Sequence, residues 1–375
     1  MSTALNHPSD TVIPETDGIA LPINMTGKGR AARSNKSGRF ESETRELADD
    51  GWGTIDELPP IKTEVQIETA RTIITRNTSP DLPFDRSINP YRGCEHGCIY
   101  CFARPSHAFI GLSPGLDFES RLFAKPNAAE VLERELGAPS YQVKPIAIGT
   151  NTDPYQPIER QHQIMRGILE VLNKTGHPVT IVTKSALVMR DIDILSDMAK
   201  RKLVKVAISV TTLDRKIARS LEPRASTPAR RLQTIKALSD AGIPTAVLAA
   251  PIIPGLTDHE LEGILGICKE HGAIEASYIL LRLPREVSEL FKEWLLREVP
   301  GSYRRVLSLL RSMRDGKDYD AQWNQRFKGK GPYADHLAKR FQLTCKNKGL
   351  SPRSFRLSTE HFIKPTCGGV QLSLL

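Results

Sequence analysis

The chain has 375 residues, of which 39% are hydrophobic and 25% charged, and its formal net charge is +9. This length is enough to bury a full core and to hold one large domain with extensions. No apolar stretch reaches transmembrane length and no signal-peptide core is visible, so we expect a cytoplasmic protein without a membrane partner.

The first 50 residues carry six Lys/Arg and eight Asp/Glu, with few aromatic residues. This composition is typical of disordered segments and predicts a flexible N-terminal arm. Within it, residues 27–33 are basic and rich in glycine. They could contact phosphate or simply be flexible, and we favour the second interpretation.

Three of the six cysteines lie close together: Cys94, Cys98 and Cys101 have the spacing C-x3-C-x2-C. Three thiolates can hold a cubane iron–sulfur cluster by three of its irons and leave the fourth iron open for a ligand. The alternative is a zinc site in which His96 or His107 is the fourth ligand. The remaining cysteines show no pairing pattern, which favours a reducing cytosol over a disulfide framework.

At this motif the chain resembles the radical SAM superfamily, with Tyr100 as the aromatic residue before the last cysteine. The resemblance implies a [4Fe–4S] cluster on the three cysteines that binds S-adenosylmethionine (SAM) at its open iron. It implies one-electron cleavage of SAM to methionine and a 5′-deoxyadenosyl radical, which abstracts hydrogen from a substrate. It also implies an electron donor such as flavodoxin or ferredoxin.

Beyond the motif, short β-branched runs alternate with helical segments. The runs predict strands at 86–91, 145–150, 179–183, 204–211, 244–251 and 276–282. The segments between them predict helices near 127–137, 159–175, 189–202, 228–241 and 258–271. Repeated strand–helix units require parallel strands with right-handed crossovers, and therefore an α/β fold. The resemblance implies a partial (β/α)6 barrel of the TIM type, in which functional residues lie on loops after the strands.

Polar residues after the second and third strands are candidate SAM ligands. Thr150 and Asp153 stand where the superfamily commonly has a Gly-Gly-Glu signature for the methionine amino group, although such a cluster is also an ordinary turn. Lys184 ends the third strand and could pair with the methionine carboxylate.

Three more candidates follow later strands. Ser209 could bond the ribose, and Arg224 offers a planar donor fork that suits a carboxylate. Backbone groups around Ile252, in a stretch rich in proline and glycine, could face the adenine ring. Plain loops that cap the next helix are the alternative interpretation.

The C-terminal part is basic. Residues 286–350 predict a basic helical extension, and residues 324–364 hold ten Lys/Arg against two Asp/Glu. This local excess of positive charge indicates an anionic partner such as nucleic acid. In the alternative interpretation, the segment is only a solvated helical face. We divide the chain into an arm (1–50), a core barrel (51–285), this extension (286–350) and an extended tail (351–375).

The last five residues, 371–375, resemble the pentapeptide that binds the bacterial DNA sliding clamp. Burial of two of their leucines in a partner groove would stabilise a complex by about 3–5 kcal/mol before ordering costs. In the alternative, these leucines fold back onto the barrel.

Residues 89–105 and 152–157 resemble spore photoproduct lyase-related proteins, often labelled DNA repair photolyases, over roughly residues 50–300. The lyase itself uses a further cysteine to return hydrogen to thymine, and this chain has no cysteine between Cys101 and Cys268. Three hypotheses follow: a radical SAM enzyme acting on nucleic acid in DNA repair or nucleobase modification, one acting on a peptide or small metabolite, and a non-enzymatic metal-binding module.

Overall fold

The structure is a computed structural model, and it describes residues 29–41, 61–351 and 355–366. The predicted clamp-binding peptide, 371–375, and Cys367 lie outside this part of the chain. No helix in the described ranges is both long and apolar enough to span a bilayer.

In the described part of the chain, ten strands form two sheets. They are β1 (Glu64–Ile67), β2 (Ile74–Arg76), β3 (Arg86–Ile88), β4 (Tyr91–Arg92), β5 (Arg121–Ala124), β6 (Ile146–Ile148), β7 (Val179–Thr183), β8 (Val204–Ser209), β9 (Thr245–Ile252) and β10 (Glu275–Leu280).

The larger sheet has seven strands in the order β10-β9-β8-β7-β6-β3-β2. Six of these strands are parallel to one another: β3, β6, β7, β8, β9 and β10. The seventh, β2, is antiparallel and lies at the edge. Such a sheet places the carboxyl ends of its parallel strands along one rim, where ligand-binding loops gather. A smaller sheet, in the order β1-β5-β4, lies beside the cysteine loop.

Eleven α-helices occur in the described ranges. They are α1 (Leu116–Ser120), α2 (Ala128–Gly137), α3 (Glu159–His162), α4 (Ile164–Lys174), α5 (Ile192–Lys200), α6 (Arg215–Leu221), α7 (Pro228–Asp240), α8 (Leu261–Glu270), α9 (Glu286–Glu298), α10 (Tyr303–Ser312) and α11 (Pro332–Lys348).

The α/β fold predicted from the sequence is confirmed, and each of the six predicted strands overlaps an observed parallel strand. The run 86–91 differs in detail, since it is interrupted at Asn89 and Pro90 and supplies both β3 and β4. Proline lacks the backbone N–H that a continuous strand would donate, so the chain leaves one sheet here and enters the other.

Two cores flank the cysteine loop. The larger core fills the space between the parallel sheet and its helices. In the second core, Trp294 and Phe291 of α9 pack with α10 and with the loop residues Cys98, Ile99 and Tyr100. The C-terminal extension therefore packs directly against the cysteine loop.

Part of the predicted flexible arm is packed, which corrects that expectation for residues 29–41. Ala31 and Ala32 are buried in the second core, and Ser34 Oγ donates to Glu293 Oε2 at 2.9 Å. The composition of the whole arm gave no sign of this packing. Small residues are common in flexible segments, but they also fit where two elements meet closely.

The C-terminal segment 355–366 packs on the opposite, amino end of the sheet. The backbone N–H of Ile363 donates to the Thr175 carbonyl at 2.9 Å, and that of Ser358 to the Lys202 carbonyl at 2.9 Å. A Cβ at Gly176 would lie 2.0 Å from the His361 carbonyl oxygen, so this close approach requires glycine.

Candidate functional site

An internal ion pair shapes the cysteine loop. Arg104 and Glu119 are both fully buried and lie 2.5 Å apart. The Arg104 guanidinium also donates to the carbonyls of Cys98 (2.9 Å) and Gly97 (3.0 Å) inside the loop. One arginine thus binds two carbonyls of the loop, and the Cys98 carbonyl also accepts from the Cys101 N–H at 3.1 Å.

Glu119 also ties the N-terminal segment to the loop. Its carboxylate accepts from the backbone N–H of Ala31 at 3.1 Å and of Ala32 at 3.0 Å. Gly97 lies against the same carboxylate at a φ of +66°, and a Cβ there would be 2.6 Å from Glu119 Oε2. The loop conformation therefore depends on glycine at this position.

Cys94 and Cys98 are buried, and Cys101 beside them is partly buried. Burial raises the pKa of Cys94 well above its ordinary value, and Asp153 and the thiols of Cys98 and Cys101 add to the rise. Burial also raises the pKa of Cys98 to about 12, although the charge of Lys184 opposes this. With pKa values this high, the free thiols stay protonated near neutral pH. Binding to iron removes the proton and gives the thiolates that a cluster needs, so these residues fit a cluster.

Beside the thiols lies a buried polar network centred on Glu222. One of its carboxylate oxygens accepts from Tyr100 Oη and from Thr211 Oγ1 (2.6 Å), and the other accepts from Arg231. Burial opposes ionisation, but Arg231 and Lys184 outweigh it and lower the pKa of Glu222 to about 2. Glu222 thereby fixes the Tyr100 ring next to the cysteines.

Asp153 connects the end of β6 with the end of β7. Its oxygens accept from Thr183 Oγ1 and from the backbone N–H of Lys184, each at 2.7 Å, and His96 Nδ1 lies 3.3 Å away. Burial opposes ionisation, but His96 and these hydrogen bonds lower the pKa of Asp153 to about 2. The carboxylate is largely engaged within the protein.

Lys184 points toward the cysteine loop from the end of β7. Its Nζ lies 5.9 Å from the centroid of the Tyr100 ring, and the side chain is half-buried. Its charge acts on Cys98 and Glu222, which keep the pKa of the amine above its ordinary value although burial opposes this. Of the predicted residues, Tyr100, Asp153, Lys184 and the cysteines are therefore brought together.

Arg224 meets the loop from another side. Its Nη2 donates to Glu95 Oε1 at 2.7 Å, and the same oxygen accepts from Thr63 Oγ1 at 2.5 Å. Arg30 in turn donates to Thr63 Oγ1 at 2.7 Å. The Arg224 guanidinium thus already binds a carboxylate of the protein, although its side chain remains 38% exposed.

The other predicted SAM ligands are spread along the rim. Ser209 is buried at the end of β8, where its carbonyl accepts from Arg231 Nη1 at 3.1 Å. Ile252 is buried at the end of β9, and its carbonyl accepts from the Leu281 N–H at 2.9 Å. Thr150 is farther round the rim, where its Oγ1 accepts from Asn89 Nδ2 at 3.4 Å.

Neither histidine of the zinc alternative is arranged with the three thiols. His107 Nε2 lies 3.0 Å from the Arg121 carbonyl, and the His107 ring packs edge-on against Phe118. Within the described residues, no group of three or more His, Cys, Asp or Glu side chains is placed to hold one metal ion. A cubane cluster binds its cysteines through separate iron atoms and so needs no convergence on one point.

Sequence reasoning missed four residues that build the site: Arg104, Glu119, Glu222 and Arg231. The sequence offers no signal for the first pair, since each residue is an ordinary charge until folding buries it. Glu222 stands two residues before Arg224, in the stretch between β8 and α7. Its position in a loop after a parallel strand was the available signal.

The comparisons with known proteins agree with this geometry. The sequence model of the radical SAM superfamily matches residues 88–267. An uncharacterized protein of Mycobacterium tuberculosis is 39% identical over 232 residues, covering 61% of this chain and 68% of that protein. One from Methanocaldococcus jannaschii is 28% identical over 217 residues, covering 58% and 77%.

Among solved structures, the fold is similar to spore photoproduct lyase complexed with dinucleoside spore photoproduct. The TM-score is 0.55 at 14% identity, with 76% of this chain and 81% of that chain covered. A mutant of that lyase with bound AdoMet and dinucleoside spore photoproduct gives 0.54 at 12% identity, covering 79% and 87%. At such identities the likeness concerns the fold.

Proposed function

The chain belongs to the radical SAM superfamily, and we propose that this radical SAM enzyme acts on nucleic acid, in repair or in nucleobase modification. The family uses a [4Fe–4S] cluster and SAM as cofactors. A non-enzymatic metal-binding module, the third hypothesis, is therefore wrong. The proposal concerns the substrate and the roles of individual residues.

Cys94, Cys98 and Cys101 are the proposed ligands of the cluster. The burial of Cys94 and Cys98, and the electrostatic influence of the neighbouring thiols on both, support this assignment. When bound, the cluster supplies the electron that cleaves SAM and so generates the radical that abstracts hydrogen. The protein's own contribution is to hold the loop through Arg104 and to keep water away from it.

The proposed SAM pocket lies between the loop and the strand ends. Lys184 supplies a positive charge beside Cys98, which suits the methionine carboxylate. Tyr100, Ser209 and the backbone at Ile252 are proposed to line the adenosine side. Asp153 and Arg224 are engaged with His96 and Glu95, so we assign them positioning roles; Thr150 keeps its proposed place at the rim.

The charge of the C-terminal extension carries the proposal of a nucleic-acid substrate. Lys328, Lys339, Lys346 and Lys348 are exposed, and among the described residues none forms an ion pair. Arg326 and Arg340 of the same segment instead pair with Asp81 and Glu262. The free lysines therefore supply positive charge that the fold itself does not use.

The course of α11 connects this charge with the rim. Near its start, Tyr333 Oη donates to Asp258 in the loop after β9. Past its end, Ser351 bridges to Glu275 at the start of β10. A helix of 17 residues is about 25 Å long, so its lysines follow the barrel wall from rim to base.

The structural similarity adds support, since spore photoproduct lyase was solved in complex with dinucleoside spore photoproduct. Hydrogen return by a cysteine is not part of the proposal. Cys268 of α8 is fully buried in the larger core, where burial raises its pKa to about 12, and Cys345 lies buried on α11. We propose modification or repair without a cysteine donor among these described thiols.

Further partners remain proposals from the sequence. They are an electron donor such as flavodoxin or ferredoxin, and the sliding clamp at residues 371–375. We also propose the division of the chain at residues 50, 285 and 350. A cytoplasmic location is proposed as well, and it is supported by the free thiols of the described cysteines and by the need for a reductant.

A salt titration tests the substrate class. In Lys339→Ala/Lys346→Ala/Lys348→Ala, log K for DNA or RNA should fall less steeply with log salt than in the wild type, by about 0.7–0.9 per lost phosphate contact. The matched control removes three exposed, unpaired lysines elsewhere: Lys62, Lys200 and Lys216. Equal slopes in both triple variants, or no binding by the wild type at low salt, would favour a peptide or metabolite substrate.

A further inference from the structure

An arginine beside the cysteine loop is held between two aromatic rings. Arg282 follows β10 at the rim, and its Cζ lies 4.3 Å from the ring centroid of Phe102 and 4.6 Å from that of Phe327. Phe102 is the residue directly after Cys101. The guanidinium therefore lies next to the site where chemistry is proposed.

The hydrogen-bonding capacity of Arg282 is unused. In the described part of the chain its half-buried guanidinium has no hydrogen bond or ion pair, and its contacts are the two rings. Stacking occupies the faces of the guanidinium and leaves its in-plane N–H donors available. Because the guanidinium is only half-buried, these donors can bind an acceptor that a ligand supplies.

A second arginine adjoins it. Arg314 is 1% exposed and donates through Nη2 to the Leu281 carbonyl, next to Arg282 in the chain. Its Nε and Nη1 are buried and have no partner among the described residues. Two neighbouring guanidinium groups thus have donors without an acceptor among the described residues.

The acidic groups here only partly neutralise this pair. Both oxygens of Asp81 accept from Arg326, at 2.6 and 2.8 Å. Burial lowers the pKa of Arg282 to about 10; Tyr319 and Asp81 oppose this, whereas Arg326 and Arg314 reinforce it. Burial likewise lowers the pKa of Arg314, against Tyr319 and Asp320. The region therefore has an excess of positive charge that an anion would relieve.

We propose that Arg282, flanked by Phe102 and Phe327, is a subsite for a phosphodiester group of the substrate, and that the buried Arg314 adds positive charge next to it. This inference rests on the proposed nucleic-acid substrate and names where its backbone binds. The planar fork of arginine matches two phosphate oxygens. Phe102 is 42% exposed and can stack on a base beside that phosphate, which would present the nucleotide to the cysteine loop.

The test measures binding of a fluorescein-labelled single-stranded DNA 10-mer to the reconstituted full-length protein. Arg282→Gln should weaken binding about tenfold or more, because a charge-assisted hydrogen bond is lost. It should also reduce the salt slope by about 0.7. Arg282→Lys keeps the charge but not the fork, and should recover only part of the affinity.

Arg285→Gln is the matched control, since it removes the same charge from an exposed arginine three residues away and should change affinity less than about twofold. Iron content and thermal unfolding report whether each variant is folded. Wild-type binding by a folded Arg282→Gln protein would overturn the subsite and leave the nucleic-acid substrate standing. No binding by the wild type to DNA or RNA would overturn both.

Discussion

Arg104 and Glu119 form an ion pair with both side chains fully buried, between the cysteine loop and α1. Arg104 also donates to the carbonyls of Pro114 (3.0 Å) and Gly115 (2.9 Å), so one guanidinium joins both ends of the connection between loop and helix. A buried pair is costly to leave half-formed, since the remaining charge has no water to solvate it. The integrity of the loop therefore depends on this pair.

Glu119→Gln should lower the free energy of unfolding by about 3–5 kcal/mol, because Arg104 would keep a buried charge without its counter-ion. Denaturant unfolding measures this, and iron content after anaerobic reconstitution should fall with it. The control is Asp240→Asn, which breaks an exposed pair with Lys236 and should cost less than about 1 kcal/mol. A Glu119→Gln protein as stable and iron-rich as the wild type would contradict the role of the pair.

Gly97→Ala should reduce iron content far more than Gly111→Ala. Both glycines have a left-handed φ, +66° and +69°, but only a Cβ at Gly97 would strike another residue, at 2.6 Å from Glu119 Oε2. The backbone strain alone costs about 1–2 kcal/mol at either position. Iron analysis of the two variants separates strain from collision, and equal loss in both would show that the contact with Glu119 is unimportant.

Lys184→Met should weaken SAM binding by about 1–3 kcal/mol, as expected for loss of a charge-assisted hydrogen bond. Equilibrium binding to the cluster-loaded protein measures it. Lys200→Met, at the exposed end of α5, is the control and should bind SAM normally. If Lys184→Met binds SAM as tightly as the wild type with its cluster intact, Lys184 does not contact the carboxylate.

His177 should make stability depend on pH. Burial lowers the pKa of this imidazole from 6.5 to about 4, and its ring packs against Tyr141 and Phe362. Between these values the unfolded chain binds a proton that the folded chain does not, so stability is full above about pH 6.5 and falls as pH decreases toward 4.

Comparison with His177→Gln isolates this contribution. From about pH 7.5 to about pH 5, the stability advantage of the wild type over the variant should shrink by about 2 kcal/mol. Urea unfolding of both proteins at each pH gives the difference. An advantage that stays constant over this range would mean that His177 titrates normally in the folded protein.

The sequence predicted the barrel well because its signals are local. Each parallel strand is a short apolar run bounded by turn residues. That pattern is visible in the sequence even when the neighbouring strands are unknown. The cysteine spacing is equally local. Residues 29–41 escaped prediction, because their burial comes from contacts with Glu119 and Glu293, which are far away in the chain.

The internal partners of the site residues were also out of reach. Asp153 and Arg224 were predicted as SAM ligands from their place after strands, and the structure gives them His96 and Glu95 as partners. A polar residue at a strand end can face a ligand or tie two loops together. Position along the chain does not separate these roles, whereas hydrogen-bond partners do.

Deuterium transfer from a nucleic-acid substrate tests the proposed activity directly. The reconstituted enzyme is incubated anaerobically with SAM, dithionite and uniformly deuterated DNA or RNA, and 5′-deoxyadenosine and SAM are then analysed by mass spectrometry. We expect deuterium in one of them, and none with the variant in which Cys94, Cys98 and Cys101 are alanine. Deuterium that arrives from deuterated peptides or metabolites of a cell extract, but not from nucleic acid, would contradict the proposed substrate.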